Sequence, residues 1–85
     1  MSKGKMLKNI IVYNEDELYF EAVPGARIEN AVEDSIKYLV MNNREGFYDL
    51  DFNGINLKVN AFSLTHRVIK EYFNAMQEIR NNNNI

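Results

Sequence analysis

Cysteine is absent from this chain, so neither a disulfide framework nor a thiolate metal site can hold it together. Histidine occurs once, at His66, which leaves little for a metal centre or for acid–base chemistry. No apolar run approaches the roughly 18 residues that a membrane-spanning helix needs, so no membrane role is expected. Met1 to Lys8 carry lysines but no apolar stretch. No signal peptide is therefore expected, and the expected compartment is the cytoplasm. Excess charge is scarce too: twelve acidic against ten basic side chains give a net charge of −2. That is too little positive charge for direct nucleic-acid binding held by phosphate contacts. It is also too little negative charge for a nucleic-acid mimic. No cofactor motif is present: Gly25, Gly46 and Gly54 each read as turn residues and form no phosphate-binding fingerprint.

What is there is a strong hairpin signal, Phe47-Tyr48-Asp49-Leu50-Asp51-Phe52-Asn53-Gly54-Ile55-Asn56-Leu57-Lys58-Val59-Asn60. Asn-Gly between alternating apolar residues specifies a two-residue turn, because both turn positions need positive φ. That loop fixes the register: Phe52 opposite Ile55, Leu50 opposite Leu57, Tyr48 opposite Val59, all on one face. The other face receives Asp49 opposite Lys58, a favourable charge pair, and Asp51 opposite Asn56.

Around this hairpin the chain reads as a single domain over residues 1–85, with 1–5 and 81–85 frayed. Met6 to Tyr13 holds a β-branched run that suits a strand. Asn14-Glu15-Asp16-Glu17 reads as a turn, and Leu18 to Val23 as the second strand. Pairing Tyr13 with Leu18 would set Ile11 opposite Phe20 and Asn9 opposite Ala22. Ile10, Val12 and Tyr19 would then share the opposite face with Glu21. Pro24-Gly25 ends the strand. A helix is expected from about Arg27 to Asn43, with a stripe of Ile28, Ala31, Val32, Ser35, Ile36, Leu39 and Val40. Ser63 is the expected N-cap of a second helix reaching about Arg80, with Leu64, Val68, Ile69, Tyr72, Phe73, Ala75, Met76 and Ile79 as its apolar positions. The expected fold class is α+β, in the order β-β-α-β-β-α. It would form a four-stranded antiparallel sheet with two helices packed on one face.

No catalytic constellation emerges, so the chain is not expected to be an enzyme. Ser63 and His66 lie three apart at a helix start, but no third group is placed to orient them. His66, Arg67 and Lys70 share the polar face of the second helix and form a candidate ligand-binding cluster. They would grip phosphates alone or with Arg27, while Tyr38 or Tyr48 stacked on a base. The same face also carries Glu71 and Glu78, which suits plain solvation. The first hairpin, apolar on both sides in this register, is the more informative feature. Ile10, Val12 and Tyr19, together with Phe73 on the wide apolar arc of the second helix, form the candidate partner or dimer interface. A core this small makes self-association, a homodimer, a reasonable expectation.

Three segments carry a resemblance: Val23-Pro24-Gly25-Ala26-Arg27-Ile28-Glu29, Asp51-Phe52-Asn53-Gly54-Ile55 and Glu71-Tyr72-Phe73. With them the chain resembles small accessory proteins of phages and prophages in low-GC bacteria, from the second strand to the second helix. The abundance of Asn, Ile and Lys, whose codons are AT-rich, agrees. The resemblance implies an accessory protein that binds a host protein. Some proteins of this class antagonise host defences such as CRISPR nucleases or cyclic-nucleotide signalling. The expected function is therefore a non-enzymatic, anti-CRISPR-like inhibitor of a defence nuclease or effector. The alternative is a small-ligand or nucleic-acid binder such as a nucleotide sponge. No functional residue is carried over from the resemblance.

Overall fold

The computed structural model describes residues 4–13 and 17–82. In chain order these form β1 (Lys5–Met6), β2 (Ile10–Tyr13), β3 (Tyr19–Ala22), α1 (Ile28–Met41), β4 (Tyr48–Phe52), β5 (Ile55–Val59) and α2 (Thr65–Asn82). The fold is α+β, with one mixed five-stranded sheet ordered β1-β2-β3-β4-β5. Both helices lie on one face: α1 packs across β2 to β5, and α2 packs on β5 and α1.

The β4–β5 hairpin forms in the register its turn dictates, Phe52↔Ile55, Leu50↔Leu57 and Tyr48↔Val59. Asn53 and Gly54 take φ of 53° and 82°, the left-handed region that asparagine and glycine enter at least cost. The Asp51 carboxylate fixes the turn by accepting the Gly54 N–H at 2.9 Å.

The expected four-stranded antiparallel sheet needs two corrections. β3 and β4 run parallel, because α1 carries the chain back across the sheet between them, and such a crossover returns the next strand in the same direction. A fifth strand, β1, pairs Lys5 with Val12 and Met6 with Ile11, where Lys5 was expected to fray. The predicted turn at Asn14-Glu15-Asp16-Glu17 falls, for its first three residues, outside the described residues. So do residues 1–3 and 83–85 of the expected frayed ends. Asn81 and Asn82, also expected to fray, continue α2.

The first hairpin differs from its expected register by one residue. Tyr13 pairs with Tyr19 rather than Leu18, and Val12 with Phe20, Ile11 with Glu21, Ile10 with Ala22. One step exchanges the faces of β2. Ile10, fully buried, and Val12 therefore point under the helices with Leu18 and Phe20. Ile11 and Tyr13 point away from them. The hairpin still carries apolar side chains on both sides, with Ile10, Val12 and Phe20 inward and Ile11, Tyr13 and Tyr19 outward, so the register step exchanges the residues of β2 and not the character of the faces.

The core joins these residues to Leu50, Phe52, Leu57 and Val59 of the sheet, Ile28, Ala31, Val32 and Leu39 of α1, and Val68 and Tyr72 of α2. Ser35 is wholly buried, and its hydroxyl donates to the Val32 carbonyl at 2.8 Å, so no polar group is stranded there. Val40, expected in the buried stripe, is exposed. α1 closes with Asn43 at φ 53°. The Arg44 N–H bonds the Leu39 carbonyl and the Asn43 N–H bonds the Val40 carbonyl, the paired bonds of a Schellman end.

Ser63 does not cap α2. Its hydroxyl accepts the Asn60 N–H at 2.8 Å and donates to the Asn60 side chain at 2.9 Å. The first helical carbonyl is that of Leu64, bonded by the Arg67 and Val68 N–H groups. The preceding turn captures the serine before the helix can use it.

Candidate functional site

The helices cover one side of the sheet and leave the other open. Alternation and register determine what that open side carries. One row across the strands reads Tyr13, Tyr19, Asp49, Lys58, and the next reads Met6, Ile11, Glu21, Asp51, Asn56. Apolar and aromatic side chains gather over β1 to β3, and carboxylates over β3 and β4.

The aromatic half is ordered by its neighbours. The rings of Tyr13 and Tyr19 stack with centroids 4.8 Å apart and planes 11° from parallel. The Tyr13 hydroxyl donates to Glu21 at 2.8 Å. Gly4 lies beneath the same ring: a Cβ there would come within 2.5 Å of Ile11 Cγ2 and 2.7 Å of Tyr13 Cε1. The tyrosine can lie flat only because that position has no side chain. Tyr19, 43% exposed, is the most open of the two.

In the acidic half, Asp49 forms an ion pair with Lys58, Asp51 holds the turn amide and Glu21 accepts the phenol. Among the described residues, three carboxylates against one ammonium leave these rows with an excess of two negative charges. The face suits a cation: a guanidinium can lie on a tyrosine ring and bond a carboxylate on the adjacent strand, roughly 4.8 Å away. It repels phosphate.

The Tyr13 phenol is held above the ordinary tyrosine value of about 10. The first cause is its hydrogen bond to Glu21, followed by desolvation and by the charges of Glu21 and Tyr19. The folded state thus favours the protonated phenol, and this contribution is present below the unfolded value and lost as pH rises through the folded one. Titration followed at 295 nm should show the Tyr13 phenol ionising late, and Glu21→Leu, which has no acceptor oxygen and no charge, should return it toward the ordinary value. An unchanged titration in that variant would remove the hydrogen bond as the cause.

Of the interface residues expected from sequence, Ile10 and Val12 belong to the core, a correction that follows from the one-residue register step. Tyr19 does lie on the open face. Phe73, 55% exposed on α2, lies among the helices on the other side of the sheet and does not join it. The outward residues that sequence reasoning missed are Met6, Ile11 and Tyr13.

His66, Arg67 and Lys70 are exposed on α2, and Arg67 borders a shallow depression with Phe62, Leu64 and Glu71. Arg27 is paired with Glu29 at 3.0 Å. Tyr38 meets Phe20 edge-on, and the Tyr48 hydroxyl donates to the Glu45 carbonyl at 2.6 Å. Among the described residues, no three acidic or histidine side chains converge as a metal site, and no helix is long and apolar enough to cross a membrane.

Comparison with protein-family models, with curated proteins and with solved structures finds no match to this chain.

Proposed function

We propose that this chain is a non-enzymatic binding protein whose open sheet face takes a basic, arginine- or lysine-bearing surface of a partner protein. The observation that supports it is the ordering of that face. Stacked Tyr13 and Tyr19 stand in register beside Asp49, with Glu21 and Asp51 in the next row. Aromatic rings next to carboxylates recognise cations by two mechanisms at once, over the ring face and through charge-assisted hydrogen bonds. The finer reading is an antagonist of a host defence system. A defence nuclease has a nucleic-acid channel lined by arginine and lysine, and such a channel is a surface of the required chemistry. The resemblance to prophage accessory proteins favours the same partner.

The test is capture from lysate of a low-GC bacterial host on immobilised protein, with elution by salt and identification of what is retained. The expected result is a basic protein, released as salt screens the contact. Tyr19→Ala and Asp49→Lys should each weaken that complex roughly 30-fold or more, because each removes a central contact. Retention of no partner, or a partner held equally well by both variants, would sink the proposal.

A further inference from the structure

One end of the molecule carries a second unfinished surface. The end of α1, the approach to β4 and the exit from β5 meet around an open groove of about 660 Å³. Leu39 forms its buried floor, and Val40, Phe47, Ala61 and Phe62 line it. Phe47 is 68% exposed and Phe62 91%. A neighbouring depression shares both phenylalanines and extends the apolar surface to half-exposed Leu64.

Phe62 is held outward by a bonded turn. The Asn60 side chain accepts the Phe62 N–H at 3.0 Å and the Ser63 hydroxyl at 2.9 Å, while that hydroxyl accepts the Asn60 N–H at 2.8 Å. The three hydrogen bonds fix the backbone of the turn that carries Phe62, so on binding the ring loses its own rotamer freedom but the turn has little left to lose.

We infer that this end is a homodimer interface, in which each Phe62 enters the groove of a second copy. Knob and groove lie on the same surface, so a two-fold axis satisfies both at once and closes the assembly. Around the two depressions lie Arg44, Lys58 and Arg67 with Glu45 and Glu71, so apposed rims need not stack like charges. A net charge of −2 per chain gives weak mutual repulsion.

The area is sufficient. Phe47 and Phe62 leave about 300 Å² of aromatic surface exposed, and Val40 and Leu64 bring the patch to roughly 400 Å² a side. At the ~65% apolar share of homodimer interfaces, two such patches imply about 1,200 Å² in all, the lower end of the stable range. The groove lies at the end of the sheet, so a dimer would leave both open faces free.

Sedimentation equilibrium between about 1 μM and about 1 mM tests the inference through mass action. The wild-type mass should climb from 10.0 kDa toward twice that value. Phe62→Asp should raise the dissociation constant roughly 30-fold or more, with a melting temperature within about 3 °C of the matched wild-type monomer, because the side chain is exposed. Phe73→Ser should dimerise normally. A wild type monomeric throughout, or an unaffected Phe62→Asp, would overturn the inference. So would dissociation by Phe73→Ser in place of Phe62→Asp. The sheet-face reading stands or falls separately: Asp49→Lys should keep the dimer mass, and Phe62→Asp should still retain the partner on the monomer.

Discussion

Ile10→Asp should leave the chain unfolded at neutral pH, while Ile11→Asp, one residue along the same strand, should fold. Ile10 is wholly buried against the helices. Its replacement removes about 1.5–3 kcal/mol of apolar burial and adds several kcal/mol for an unpaired buried carboxylate. A chain of 85 residues has about 4–13 kcal/mol of stability in total. The combined loss is of that size. Burial would raise the introduced carboxyl above its unfolded value, so the lost stability should partly return as pH falls through the folded value toward about 4. Ile11 faces the open side opposite Glu21. An acid there costs a few tenths of a kcal/mol from like-charge contact, plus the modest burial lost. Far-UV circular dichroism and urea midpoints for both variants decide the matter. A folded Ile10→Asp beside an unfolded Ile11→Asp would mean that β2 is turned over.

That pair also marks where the sequence becomes ambiguous. The Asn53-Gly54 turn has two residues, so its register follows from loop length, and all three inward pairs are legible. The first hairpin offers no such anchor. Ile10, Ile11, Val12 and Tyr13 are all apolar, and period two carries no information when both phases are greasy. The alternation on β3 is informative, with Leu18 and Phe20 inward against Tyr19 and Glu21 outward. The faces of β2 could have been read from polar tips. Tyr13 has a hydroxyl to satisfy and Glu21 can accept it, whereas Ile10 and Val12 have nothing to offer water.

The parallel join is harder to foresee. Two hairpin–helix halves suggest antiparallel neighbours, yet the helix between β3 and β4 acts as a crossover. Two-residue β1 lies below any detectable pattern. Tyr19 was therefore legible as an outward residue, but its placement beside Asp49 was not, because that contact exists only through the parallel register. At the other end, Phe47 and Phe62 have no period to reveal them, and Val40 belongs to the helix stripe by spacing alone. Only the fold shows that α1 has run past the sheet by that point.

Phe20→Ala should cost about 3–5 kcal/mol, a drop in melting temperature of roughly 15–30 °C for a domain of this size. Phe20 sits on the central strand and is fully buried. It pairs with Val12 on one side and Leu50 on the other, and Tyr38 of α1 meets its ring edge-on at 5.6 Å. The ring thus binds the antiparallel half of the sheet, the parallel half and the crossover helix at a single point. Its removal leaves a cavity that none of the three can fill without moving the other two. The same strand presents Tyr19 and Glu21 to the open face on either side of Phe20, so the variant should lose partner binding together with the fold. Tyr19→Ala separates the two effects. Its exposed ring adds little to the core, and it should melt within a few degrees of wild type while losing the partner. Equal melting losses in Phe20→Ala and Tyr19→Ala would show that the outer stack holds the sheet together as much as the buried ring does. The open face would then be part of the framework rather than a surface kept for another molecule.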